Sequence, residues 1–413
     1  MFVVYSIVII PFIGAIHVSL TDEKRVGGIR RLSLIYTCMT YYISIMIWIE
    51  FDGSKVGIQI VSKFMGWDIF NIAFGVDGLS VFFVLLTALT IPIAVISGYY
   101  IEERNQKLYL SLILIFSGFI ILVFISLDLI IFYVSFEAVL VPLTLLVGIY
   151  GGRRRINAAY LLFLYTLFGS LPMLLSFLSI YTITKTTNIV VLSIMSKDYP
   201  NKIWLGIFIG LATAHAEANS AVSVVLAGPV LKLEAYAHIR VLIQLIPDQT
   251  EYFQGLVLVI SMISVIYTAF ICMRQTDFKQ LVAYSLINHI GIVCLGIYSN
   301  TVTGVEGGIM LLISHGVVSP ALFILVGAVI YDRYHDRTIR YYTGEFISLA
   351  GAFQTFPVIT ILASSSIVIS ALIDITRVEF HVLIPLLILM LALGVYPNIV
   401  LDYLHVSCSS LIY

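Results

Sequence analysis

Charge is what this sequence lacks. Only 11% of its 413 residues are Asp, Glu, Lys or Arg, against about 25% in a soluble domain. The formal net charge is −1, so the chain has no basic surface for a nucleic acid. Hydrophobic residues make up 60% and mean hydropathy is +1.06. A soluble globular enzyme and a disordered chain are both excluded. Cysteine is scarce as well. Cys38, Cys272, Cys294 and Cys408 are scattered through apolar sequence with no CxxC. That pattern suggests neither a metal knuckle nor an iron–sulfur ligand set, and all four read as buried small hydrophobes. Catalytic motifs are missing too. Gly151-Gly152 leads into Arg153, Arg154 and Arg155 with no GK[ST] after it, and there is no nucleophile elbow, HExxH, haem or flavin motif. No cofactor is expected.

What the chain does have is long apolar runs. They fall at about 1–20, 33–50, 79–99, 110–126, 127–149, 158–184, 203–213, 221–246, 253–273, 281–298, 307–331, 346–373 and 381–401. Most reach the ~20 residues that cross a bilayer. The run 203–213 is half a span, and 346–373 is interrupted by Ser364, Ser365 and Ser366. Residues 1–20 lack the basic start of a secretory signal and the Arg/Ser richness of a transit peptide, so they read as the first span. No soluble domain interrupts the series. The expectation is an all-α integral membrane protein, since helices satisfy their own backbone in lipid.

Loop charge gives a topology. The odd loops hold Lys24, Arg25, Arg30, Arg31, Arg104, Lys107, Arg153, Arg154, Arg155, Arg274, Lys279, Arg333, Arg337 and Arg340. The even loops hold Lys55, Lys63, Lys185, Lys197 and Lys202. The positive-inside rule puts the odd loops in the cytoplasm or matrix, provided 203–213 counts as a full crossing.

Ionisable groups inside the runs are the functional candidates, because a charge at mid-helix costs at least ~2.5–3.5 kcal/mol. Glu137 lies in LIIFYVSFEAVLVPLTLLVG, with Pro142 expected to open the helix nearby. Lys232 lies in VSVVLAGPVLKLEAYAHIRVLIQL after Pro229, and reads as a buried lysine able to take and release protons. Glu234, two residues on, does not face it. Arg240 reads as a snorkelling arginine. His289 and His315, in successive runs, read as relay stations near neutrality or as interhelical hydrogen-bond donors. Glu345 opens a run and reads equally as a relay carboxyl or a helix-start Glu. Acids, bases and histidines strung along successive helices suit proton transfer across apolar protein.

Several stretches resemble a known family. FYVSFEAVLVPLTLLVGIYGGRRRINAAYLLFLYTLFGSLPML (132–174), AHAEANSAVSVVLAGPVLKLEAYAHIRV (214–241), RQTDFKQLVAYSLINHIGIVCLGIYS (274–299) and EGGIMLLISHGVVSPALFILVGAVIYDRYHDRTIRYY (306–342) are similar to the NADH dehydrogenase subunit 4 family. Its members are antiporter-like membrane subunits of mitochondrial respiratory complex I. GVDGLSVFFVLLTALTIPIAV (75–95) and EFHVLIPLLILMLALGVYPNIVLD (379–402) fit as well. Cation/proton antiporters of the Mrp type share the core motifs.

The resemblance implies about 13–14 transmembrane helices in an antiporter-like bundle with two inverted five-helix repeats. It divides the single membrane domain into N-terminal helices (1–109), a first repeat (110–246), a second, truncated repeat (253–373) and a C-terminal helix (379–413). It implies proton translocation coupled to quinone reduction in other subunits, in the mitochondrial inner membrane, beside other membrane-arm subunits and lipids. Glu137, Lys232, His289, His315 and Glu345 match its proton relay, in that order. Three junctions depart from the pattern: Thr213/Ala214, Tyr342/Thr343 and the region of Ala371. At the first, a lysine that partners the fifth-helix Glu in the family is missing. The alternatives are a non-pumping scaffold subunit of the same membrane arm and an Mrp-type sodium/proton antiporter subunit.

Overall fold

The computed structural model describes residues 2–55, 57–63, 73–100, 106–151, 155–195, 226–331, 338 and 377–412. The half-span at 203–213, the run 346–373 and all three departing junctions lie outside the described residues. The helices follow the apolar runs. In chain order they are α1 (Phe2–Leu20), α2 (Val26–Glu50), α3 (Ser80–Ser97), α4 (Gln106–Ile125), α5 (Leu129–Tyr150), α6 (Arg155–Thr184) and the short α7 (Ile189–Ile194). Then come α8 (residues 226–243), α9 (Pro247–Arg274), α10 (Phe278–Ile297), α11 (Val302–Ile324), α12 (Arg377–Val395) and α13 (Asn398–Ile412). Among the described residues nine helices are long and apolar enough to cross a membrane.

Local chemistry sets the boundaries. The Asp128 side chain accepts from the Ile130 and Ile131 amides and starts α5. Asn188 starts α7, Asp277 starts α10 and Thr301 starts α11 in the same way. Each cap satisfies amides that have no partner inside the helix. Pro247 occupies the first turn of α9, where its missing N–H costs nothing. Pro142 does not open α5 as expected; the helix runs through it, as membrane helices commonly do through proline.

Three features depart from a simple series of rods. A two-stranded antiparallel hairpin, β1 (Ile60–Lys63) and β2 (Ala73–Val76), joins α2 to α3. The expected single C-terminal helix is two, bent by 66° between α12 and α13. Pro397 stands at the bend; it donates no amide and keeps Tyr396 out of helical geometry. And α8 is π-helical over Leu226–Val230, α-helical over Leu231–Ala237 and π-helical again over His238–Ile243. Pro229 sits in the first wide turn, so the local break expected there is a π distortion. Wide turns of this kind are frequent at functional sites.

Packing places α3, α4, α8 and α11 at the centre. In α11, 89% of the spanning stretch is buried, against 22% in α9, whose apolar side chains face outward. α1 packs on α2 and α4, α4 on α5 and α5 on α6. On the other side α9, α10 and α11 pack in sequence, and α8 sits against both α3 and α11. Polar side chains inside this bundle turn back on their own backbone. Ser33, Thr37, Thr40 and Ser44 form one buried stripe on α2, and each hydroxyl donates to the carbonyl three residues earlier. Of the four cysteines expected to be buried, Cys272 and Cys408 are, and Cys294 is only part-buried. Cys38 is exposed on α2, because the buried face of that helix is the Ser/Thr stripe.

Candidate functional site

The closest approach of α10 and α11 builds the site. Gly296 of α10 lies against Gly304 and Gly308 of α11; a Cβ at Gly296 would stand 2.8 Å from the Gly304 carbonyl and 3.2 Å from Gly308 Cα. Small residues let membrane helices approach this closely. The two helices are antiparallel neighbours. Two turns before Gly296 stands His289, and two turns after Gly308 stands His315. Their rings meet edge to face, with centroids 5.1 Å apart at 79°.

Lys232 enters this cluster from α8. Its side chain is fully buried, and Nζ lies 3.1 Å from His315 Nδ1. A lysine ammonium has three donors and no acceptor, so the Nδ1 lone pair is its acceptor when the proton is on lysine. When the proton is on His315 the direction reverses. Room for the lysine stem comes from Gly316, where a Cβ would stand 3.2 Å from Lys232 Cε. The geometry runs from Lys232 to His315, with His289 stacked on the second ring. Lys232, His289 and His315, far apart in sequence, are one cluster.

Glu137 belongs to a different locality. It is half-buried on α5, and its Oε1 is buried with no hydrogen-bond partner among the described residues. Glu345 lies outside the described residues.

The sequence reading missed one central pair. Arg240, expected to snorkel, is buried and bonds Asp77 at 2.5 Å. Asp77 in turn accepts from the Ser80 amide at 2.9 Å, and Arg240 Nη1 reaches Gln244 Oε1 at 3.3 Å. The pair lies two turns beyond Lys232 and ties α8 to the start of α3. Lys232 and Arg240 thus stand in one buried helix, one facing a histidine and the other a carboxylate. The available signal was Asp77 itself, an acid in GVDGLS with no basic neighbour in sequence. Among the described residues no group of three or more His, Cys, Asp or Glu is arranged to hold a metal ion.

Comparison with known proteins agrees with this architecture. Residues 126–367 match the family model described as NADH:quinone oxidoreductase/Mrp antiporter, TM. The chain is 42% identical to NADH-ubiquinone oxidoreductase chain 4 of Mycosarcoma maydis, over 98% of this chain and 99% of that one. It is 33% identical to the Marchantia polymorpha protein of the same name, over 98% and 96%. Among solved structures, a chain of respiratory complex I from Thermus thermophilus has a TM-score of 0.80 at 24% identity, covering 99% of this chain and 100% of that one. The first alignment needs 477 positions for a chain of 413 residues, so at least 64 of them are gaps on this side. That shortfall agrees with the missing segments the resemblance implies. With a family model over more than half its length and relatives matched end to end, this multi-pass membrane chain belongs to the NADH-ubiquinone oxidoreductase chain 4 family.

Proposed function

We propose that this chain is a proton-translocating subunit in the membrane arm of an NADH:ubiquinone oxidoreductase, working in the mitochondrial inner membrane beside other membrane-arm subunits. Its curated relatives are named as chain 4 of that enzyme. The chain contributes no redox site of its own to this reading; redox chemistry in other subunits drives the proton steps.

The observation that carries the reading is the 3.1 Å contact between Lys232 Nζ and His315 Nδ1 inside fully buried sequence. Two nitrogens at that distance share a single proton position between them. A buried cation is costly, and a structural role would be filled better by apolar side chains. The cluster is instead suited to accept one charge, hold it between lysine and imidazole, and pass it to His289. In the full relay, Glu137 loads the proton, Lys232, His315 and His289 carry it, and Glu345 releases it. A change in the local field, set by redox steps elsewhere, would move the proton by changing which site favours the charged form.

The test is Lys232→Met in the purified whole complex, reconstituted in vesicles. Protons moved per NADH oxidised should fall sharply while the complex still assembles. Unchanged pumping would overturn the relay. It would favour the scaffold reading, which has one observation behind it: among the described residues Glu137 has no ion-pair partner.

A further inference from the structure

Asn288 carries an acceptor that no donor of the described residues reaches. The residue lies in the middle of α10 and is 3% exposed. Its Oδ1 is buried and has no hydrogen-bond partner among the described residues. A buried polar oxygen left unpaired is costly, and the large majority of such atoms in folded proteins are bonded to protein or to ordered water.

The register of two helices identifies the surroundings. α9 and α10 pack against each other and are joined by residues 275–277, so they run antiparallel. Gly291 of α10 faces α9: a Cβ there would stand 2.6 Å from Val265 Cγ2, 2.8 Å from Ser264 Oγ and 3.3 Å from the Ser261 carbonyl. Asn288 is one turn earlier on α10, so the level of α9 opposite it is one turn later, at the buried Thr268. Neither Ser264 nor Thr268 has a proton to offer. Ser264 Oγ donates to the Ser261 carbonyl at 2.8 Å, and Thr268 Oγ1 donates to the Ser264 carbonyl at 2.7 Å. Each hydroxyl has a single O–H, so what both present to the seam is lone pairs. A water molecule supplies the missing donors. It carries two, enough for Asn288 Oδ1 and one hydroxyl oxygen of α9. Internal waters occupy such positions, bonded to about three buried polar groups that the protein leaves unpaired.

We propose that Asn288 Oδ1 holds an internal water on the flank of α10, between the α9 seam and the histidine cluster. The water donates to Asn288 Oδ1 and to a hydroxyl oxygen of Ser264 or Thr268. Successive helix residues are turned by about 100°. Asn288 is therefore turned about 60° from Gly291, which faces α9, and about 100° from His289, which faces α11. A water on that flank brings exchangeable protons to the level of His289. The site does not depend on the reading of the cluster as a proton relay.

The experiment is a cryo-electron microscopy map of the purified whole complex, at a resolution that shows internal waters, for the parent and for Asn288→Leu. The parent should show a water within hydrogen-bond distance of Asn288 Oδ1. Asn288→Leu, close in shape but without an acceptor, should lose it. Thermal unfolding gives a second reading. Removing a buried oxygen that is truly unpaired raises the unfolding midpoint, whereas removing one that bonds a water does not. The midpoint of Asn288→Leu is therefore expected at or below that of the parent. Should the leucine variant not assemble, Asn288→Ser, smaller and still polar, should assemble and keep the water. A map that shows other internal waters but none at Asn288 would overturn the proposal. So would a protein side chain bonded to Oδ1, or a higher midpoint in Asn288→Leu.

Discussion

Two stretches of the chain are built on the same frame and filled differently. In the first, Asp128 caps α5, α6 follows, and Asp128 pairs as an isolated antiparallel bridge with Asn188. In the second, Asp277 caps α10, α11 follows, and Asp277 bridges in the same sense to Thr338. The bridge partners lie 60 and 61 residues downstream. A capping aspartate, two helices and a returning strand-like residue therefore recur at nearly constant spacing. The fillings contrast. The first stretch carries the half-buried Glu137 on α5, beside an α6 that is 39% buried; the second carries His289 on α10 and His315 on α11, which is 89% buried and meets Lys232 of α8. The frame is backbone chemistry and repeats. The ionisable groups sit on it as separate choices, a solvable problem at the edge and a costly one at the centre.

The contrast breaks first at α8. Arg240 and Asp77 are a buried pair, and removing one partner leaves the other charge without compensation. Arg240→Met should cost about 3–5 kcal/mol. Read by thermal unfolding of the purified complex, or by native gels for assembly, it is the largest loss expected of any single change discussed here. Combining it with Asp77→Asn should recover much of the loss, because no buried charge remains. A double variant as poor as the single one would mean that the pair does more than neutralise itself. Loss of the pair should not be mimicked by substitution at Glu137.

A smaller effect tests how tightly each region is packed. A Cβ at Gly316 would fall 2.4 Å from Leu86 Cδ2 and 3.2 Å from Lys232 Cε. Gly316→Ala should therefore cost about 1–3 kcal/mol, displace Leu86 and loosen the Lys232–His315 contact, with lower pumping per NADH. Between α5 and α6, a Cβ at Gly148 would meet Ala159 Cβ at 3.4 Å, an ordinary contact. Gly148→Ala should leave unfolding within about 1 kcal/mol of the parent, on the stabilising side. Equal costs at the two glycines would remove the distinction between an open edge and a packed centre.

The spans were legible because each is a continuous apolar run, and so were Lys232, His289 and His315, because an ionisable group in such a run has few reasons to be there. Their assembly into one cluster was not. It depends on the Gly296–Gly308 approach, whose register is a property of two helices. Arg240 looked like a snorkelling side chain because its partner Asp77 is 163 positions away and hydropathy carries no pairing information. The β1–β2 hairpin is too short to show a period. The break at Pro397 was written in the sequence, yet the apolar run continues across it and masks it.

The finest comparison is between the two capping aspartates. Replacing an N-cap by alanine typically costs about 1 kcal/mol, so neither Asp128→Ala nor Asp277→Ala should abolish assembly. The two should still differ. Asp128 accepts from two amides, Ile130 at 2.8 Å and Ile131 at 3.2 Å, and its second oxygen takes the Thr187 hydroxyl. Asp277 accepts from the Lys279 amide alone among the described residues, at 2.8 Å. The Thr187 bond ties the chain just past α6 to the start of α5, so Asp128→Ala should lower the unfolding midpoint more than Asp277→Ala. Asp128→Ser should recover the helix cap but not the Thr187 tie, since one hydroxyl cannot serve both. Thr187→Val should then account for the remainder. If Asp128→Ser and Asp277→Ser both return fully to the parent midpoint, the tie contributes nothing, and the two stretches differ only in the residues they carry between cap and bridge.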